Sequence, residues 1–223
     1  MLKFIINILT LLSGTTLLFA QADSIVSNEK KASLGLRPAY DIGKKIWSRY
    51  RGGNIDQIAL HLNYNNHIAG IVWGKEQMPF TTDRYDFFTS GSYFKLEYAY
   101  NFYENWPGTS NEITLGIRYA HATFDYTLYR FQRIPSVPVF MPADETFSRE
   151  FKRLDAHWLE ITSAVRAEIF RGLYLELHIS GKYYLNGKRP QNFGLIYIPG
   201  FHTTNVSKFG FGLGYGISYY LRL

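Results

Sequence analysis

From Lys208 to Leu223, hydrophobic and polar positions alternate with a period of two. Phe209, Phe211, Leu213, Tyr215, Ile217, Tyr219, Leu221 and Leu223 make one face, and Lys208, Gly210, Gly212, Gly214, Gly216, Ser218, Tyr220 and Arg222 make the other. That is a β-strand with one apolar face, about twice as long as a usual soluble strand. An apolar face of that length needs apolar surroundings throughout, and a tilted strand crossing a bilayer has them. The glycines opposite suit the inside of a narrow barrel, where facing walls compete for space.

The same alternation predicts seven earlier strands. Strand one covers Ser33 to Asp41, with Leu34, Leu36 and Tyr40 outward and Arg37 and Asp41 inward. Strand two covers Ile55 to Asn65, with Ile58, Leu60, Leu62 and Tyr64 outward, and Asn65-Asn66-His67 forms a tight turn. Strand three, Ile68 to Glu76, is apolar on both faces, which leaves its register open. Strand four runs from Ser92 to Tyr103, strand five from Glu112 to Asp125, strand six from Leu154 to Phe170 and strand seven from Leu173 to Leu185. Between strands one and two, Ile42, Ile46, Trp47 and Tyr50 recur at the spacing of one face of a short helix, with Lys44, Lys45, Arg49 and Arg51 around the rest. Such a segment fits either the headgroup layer or a structured loop packed on the barrel rim.

The expected fold is therefore all-β: an eight-stranded antiparallel transmembrane β-barrel with a short helix in the first external loop. Connections are expected to be long after strands one, three, five and seven and short after two, four and six. In outer-membrane barrels short turns are periplasmic and long loops external, so both termini are expected in the periplasm.

Composition fits this picture. After the N-terminus no run of 18 or more apolar residues appears, so helical membrane spans are not expected, whereas a barrel escapes that test because only alternate residues meet lipid. The 18 Tyr and 17 Phe suit strands and interfacial girdles. With no cysteine there is neither a disulfide framework nor a lipidated N-terminal thiol. The +6 formal charge is spread over loops and interior, which favours anionic lipid headgroups over nucleic acid as a neighbour. Residues 1–22 read as a signal peptide, with Lys3 before an apolar stretch and an Ala20-Gln21-Ala22 cleavage pattern. Residues 23–32 read as a periplasmic lead-in and 33–223 as the barrel.

The candidate chemistry lies on the inner face, where Arg37, Asp41, Lys95, Glu97, Arg118, Glu160, Arg166, Glu168, Glu176 and Lys182 gather with His61 and His178. Opposite charges nearly balance. Eight strands enclose only as much space as side chains can fill, and unpaired buried charges are costly, so an ion-pair network filling the lumen is expected over an ion path. His178 and Ser180 share a face with Glu176 beside them, which raises a lipid-modifying enzyme, a lipid A or phospholipid hydrolase or acyltransferase, as the alternative. Residues two apart on a strand lie about 7 Å apart, too far for the direct hydrogen bond that nucleophile activation needs. No glycine-rich phosphate loop, zinc-type spacing or nucleophile elbow occurs, and no cofactor, metal or catalytic residue is expected.

Several stretches carry a family resemblance: Gly91 to Tyr98 leading into Tyr103 to Trp106; Arg149-Glu-Phe151 with Leu154 to Glu160; Ile196-Tyr-Ile-Pro-Gly-Phe201; and Ser207 to Gly210. Together they resemble an uncharacterised family of outer-membrane barrels from Bacteroidota, a domain of unknown function. The resemblance covers most of the chain beyond the signal and implies no catalytic residues. The final residue, Leu223, departs from the Phe or Trp that usually ends an outer-membrane barrel. The long stretches 126–153 and 186–207 are rich in Pro, aromatic residues and Arg, and long loops in compact domains are functional or disordered. The expectation is a non-enzymatic structural or interaction subunit whose external-loop binding surface comprises Arg149, Phe151, Ile196, Tyr197, Pro199 and Phe201. Its expected partners are outer-membrane lipids and another envelope protein or outer-membrane complex, not nucleic acid.

Overall fold

The computed structural model describes residues 34–82, 85–104, 110–131, 149–188, 197–203 and 208–223. The expected signal peptide and lead-in lie outside these, as does Ile196. The elements in order are β1 (Leu34–Tyr40), helix α1 (Ile42–Tyr50), β2 (Asn54–Tyr64), β3 (His67–Thr81), β4 (Tyr85–Asn101), β5 (Glu112–Phe131), β6 (Arg149–Phe170), β7 (Leu173–Gly187), a hairpin of β8 (Tyr197–Ile198) and β9 (His202–Thr203), then β10 (Phe209–Tyr219) and β11 (Leu221–Arg222).

Each large strand pairs antiparallel with the next, and the last returns to the first through Ala39↔Ser218, Tyr40↔Ile217, Gly35↔Arg222 and Leu36↔Leu221. The sheet closes into a barrel of eight staves, the eighth made of β10 and β11. The alternation leaves this stave unbroken, but it pauses at Tyr220, whose N–H donates to the Gly172 carbonyl at 2.7 Å across the neighbouring turn. Closure removes the sheet edges that hydrocarbon cannot solvate.

The wall carries its apolar side chains outward. Ile117, Ile161 and Leu213 are 62%, 66% and 61% exposed, while Arg37 and Glu160 on the inner face are buried. This reverses a soluble protein and is what a transmembrane barrel requires. No helix among the described residues is long and apolar enough to cross a membrane.

The strands on one side are much longer than the alternation implies. β5 has 20 residues and β6 has 22. At about 3.4 Å per residue and a tilt near 40°, β5 rises roughly 50 Å, about twice the apolar band of an outer-membrane barrel. Its upper half must therefore stand in water, and there the two faces exchange roles. Above Trp73, Phe94, Tyr119 and Leu159 the outward positions turn polar with Lys75, Ser92, His121 and His157. Most inward positions turn apolar, Glu76 and Thr89 excepted, and Phe87, Phe124, Tyr126, Leu128 and Leu154 pack as a core.

This exchange explains three displaced boundaries. The expected ends of strand three at Glu76 and of strand five at Asp125, and the expected start of strand four at Ser92, mark where outward apolar residues stop. The ladder continues past each of them, with Thr81↔Asp86 and Leu128↔Arg149 still paired. It also corrects the connection after strand three: β3 and β4 form a tall hairpin from Thr81 to Tyr85 and not a long loop. The open register of strand three resolves with Ile68, Val72, Glu76 and Met78 inward and Ile71 and Trp73 outward.

Candidate functional site

The barrel interior is polar at the end that holds Leu34 and Leu223 and apolar at the other. In the polar half, Glu112 joins Arg37, which reaches it across the lumen, to Arg166, its partner on the neighbouring strand. Arg37 donates from Nη1 to Glu112 Oε2 at 2.7 Å and from Nη2 to Oε1 at 2.5 Å, a bidentate pair, and Arg166 Nη1 reaches Oε2 at 3.4 Å. Arg166 Nε donates to Glu176 Oε1 at 2.7 Å, as does Ser218 Oγ. Fork-to-fork pairs hold planar groups in one geometry, so five staves are tied across the lumen here.

A second cluster lies toward the apolar half. Glu160 Oε1 accepts from Lys95 Nζ and from Trp158 Nε1, both at 2.7 Å. Arg118 lies 3.0 Å from Glu97 and 3.7 Å from Glu160, and His61 Nε2 lies 3.2 Å from Glu97. A third cluster sits under α1. Asp41 caps the helix by accepting from Lys44 N at 2.9 Å, Lys44 Nζ lies 3.1 Å from Asp41 and donates to Gln57 at 2.7 Å, and His178 Nε2 is 3.7 Å from Asp41 Oδ2. A cavity of about 20 Å³, as swept by the centre of a water molecule, remains between these clusters, lined by Asp41, Gln57, His61, Arg118, Glu176 and His178.

Two expected members of the network do otherwise. Glu168 sits near the rim and accepts from Gly172 N at 2.8 Å, bracing the β6–β7 turn. Lys182 donates to the carbonyls of Gly200 at 2.8 Å and Phe201 at 3.2 Å, and so holds a loop backbone in place. Two acids were missed. Glu112 shares the inward parity of Thr114 and Arg118, a signal that was available. Glu76 lay on the strand whose register was open, where its parity with Gly70 and Gly74 was the usable clue.

The apolar half is occupied by the β8–β9 hairpin. Gly200 N donates to Glu76 Oε2 at 2.9 Å, Tyr197 OH donates to Glu76 Oε1, and Tyr197 N donates to Tyr126 OH at 2.8 Å. Phe201 meets Trp158 and Tyr184 edge-on, with ring centroids 5.8 Å and 6.2 Å apart. Gly200 turns the chain at φ 78°, and a Cβ there would lie 2.7 Å from the Tyr93 ring. Burial pushes the His202 imidazole well below its ordinary range.

Tyr197, Pro199 and Phe201 are buried inside the wall, which corrects the expectation that they form an external surface. An Ile-Pro-Gly-Phe stretch rich in apolar atoms enters the nearest apolar environment, and here that is the core between the tall strands. Arg149 and Phe151 stay on the rim, with the guanidinium 5.0 Å above the ring. His178 and Ser180 share a face, and among the described residues no hydrogen bond joins them.

The profile of one protein family spans residues 1–223. The chain belongs to the family described as a domain of unknown function, DUF6048. No curated protein matches it. Among solved structures, the chain is similar to the N-terminal β-barrel domain of Pseudomonas aeruginosa OprF, at 10% identity and a TM-score of 0.41, covering 86% of this chain and 100% of that one. It is also similar to Neisserial surface protein A, at 9% identity and 0.42, covering 86% and 96%. A major outer membrane protein from Thermus thermophilus matches at 12% identity and 0.43, covering 86% and 100%.

Proposed function

We propose that this protein is a non-conducting, non-enzymatic barrel of the Gram-negative outer membrane, with periplasmic termini, that serves as a structural or interaction subunit. One observation carries the reading. Inward side chains bond across the lumen through Glu112, Glu160 and Glu76, and a hairpin fills the space above them. Among the described residues the filling leaves a cavity of about 20 Å³, enough for a water and too small for a channel or a substrate, so the outer surfaces are left to act. The tall wall of β3 to β6 supports the same reading, because an eight-stave barrel that only anchored itself would not need strands about twice the height of the bilayer's apolar band. The rim at Arg149 and Lys152, both exposed, stands at the top of that wall, with the half-buried Phe151 packed against the core between them, and is the contact surface we assign to an envelope partner.

The test has two arms. Purified protein in planar bilayers should give no unitary currents; steady open-channel currents would overturn the filled lumen. Tagged wild type and an Arg149→Glu/Lys152→Glu variant are then recovered from native outer membranes in mild detergent. A stoichiometric partner present with wild type and lost with the folded variant supports the reading, and an identical set with both overturns the rim assignment.

A further inference from the structure

β1 ends at Tyr40, far below the top of its neighbours. β10 pairs with β1 only at Ala39↔Ser218 and Tyr40↔Ile217, so from Phe211 to Tyr215 its ladder is on the β7 side alone. Helix α1 stands where β1 would have continued. At its start Gly43 lies so close to β10 that a Cβ would fall 2.6 Å from Tyr215 Cδ1. On its other side, Ile55 N donates to Ser48 Oγ at 2.9 Å, Lys44 Nζ to Gln57 at 2.7 Å and Lys45 Nζ to Asp56 at 2.6 Å. A helix can replace a strand in such a wall because its backbone groups are satisfied internally.

Those bonds fix the roll of the helix, and the result is inverted relative to a soluble protein. An amphipathic helix normally turns its apolar stripe to the core. Here the polar side, Lys44 and Ser48, faces the barrel, while Ile46, Trp47 and Tyr50 are 57%, 44% and 90% exposed. Ile58, Leu213 and Tyr215, which belong to the bilayer-facing band, lie on the two strands flanking the helix and are exposed as well. Arg49 and Arg51 are exposed beside this apolar surface, and neither has a carboxylate partner among the described residues. Arg51 lies 5.3 Å over the Trp47 ring.

We propose that α1 is a lipid-held stave: Ile46, Trp47 and Tyr50 enter the leaflet at this rim, and Arg49 and Arg51 bind the phosphates of its anionic lipids. Two features identify the occupant. The exposed apolar face continues the bilayer-facing band, and the unpaired guanidinium groups complement a phosphate-bearing headgroup layer. Lipid so bound also keeps the helix against the one-sided ladder of β10, whose backbone hydrocarbon cannot satisfy. The lipid-held helix rests only on the transmembrane barrel and does not depend on the lumen being closed or on a protein partner.

The chain has no cysteine, so single labels are clean. Ile46→Cys and Thr123→Cys, each bimane-labelled, go into nanodiscs of acyl-brominated phosphatidylcholine with phosphatidylglycerol. Native mass spectrometry counts phosphatidylglycerol retained by wild type and by an Arg49→Gln/Arg51→Gln variant, with circular dichroism confirming the barrel in each. We expect bromine to quench the label at position 46 and not that at 123, and the double variant to retain roughly tenfold less anionic lipid. A water-exposed, unquenched label at 46, or equal lipid retention in both proteins, overturns the proposal.

Discussion

Glu160 is the point at which the interior can be tested most sharply. Its Oε1 accepts from Lys95 Nζ and Trp158 Nε1, and Arg118 stands 3.7 Å from its other oxygen. Glu160→Gln keeps the shape and the tryptophan's acceptor but leaves Lys95 and Arg118 as buried cations with one carboxylate, Glu97, between them. Removing one partner of a buried pair costs about 3–5 kcal/mol, because the other charge stays buried and uncompensated. Lys95→Met alone should cost a similar amount for the mirror-image reason. The double variant removes both charges, and its loss should be at least about 2 kcal/mol smaller than the sum of the single losses, the signature of directly coupled residues. Urea unfolding of each protein in lipid vesicles, followed by tryptophan fluorescence and circular dichroism, measures all four corners of the cycle. Single variants within about 0.5 kcal/mol of wild type, with additive effects, would refute the reasoning, since that is how exposed and screened pairs behave.

Three further outcomes are expected. Ile117→Arg, on the lipid face, should destabilise the barrel by about 2–4 kcal/mol, whereas Thr123→Arg, outward on the same strand but above the exchange of faces, should change stability by no more than about 0.5 kcal/mol; vesicle unfolding compares them, and equal losses would place the membrane boundary elsewhere. Phe201→Ala should cost about 3–5 kcal/mol as a buried aromatic truncation, and Gly200→Ala should loosen the same hairpin because its φ of 78° and the Tyr93 ring both oppose a Cβ; faster amide exchange at Tyr197 to His202 reports both, and unchanged exchange would contradict the packing. Because the His202 imidazole stays neutral when buried and titrates near pH 6.5 when released, hairpin stability should be full above that pH and fall below it, by at most about 1.4 kcal/mol for the first unit. A His202→Gln variant should remove that dependence, and an unchanged acid response would assign it to another group.

The alternation of Phe209 to Leu223, and its echoes in the other strands, determined stave number, order and lipid-facing side, because a period-two pattern with an apolar outer face has one way to close in a bilayer. The same parity placed Arg37, Arg118, Glu160 and Arg166 inside. What it could not set was how far each stave runs. Outward apolar residues report the lipid, not the hydrogen-bonded ladder, so the pattern falls silent at Lys75, Ser92 and His121 while the strands continue into water with their faces exchanged. Nor could it say which long stretch turns inward. Ile196 to Phe201 reads as an exposed, aromatic loop, and only the apolar core between the tall strands, with Glu76 and Lys182 placed to bond its backbone, draws Tyr197 and Phe201 inside. Partner choice within the interior was likewise a tertiary matter. Arg37 and Glu112 lie 75 residues apart and meet only when the sheet closes on itself. Local periodicity records which solvent each face meets, whereas pairing across the lumen depends on curvature and stagger that no single strand contains.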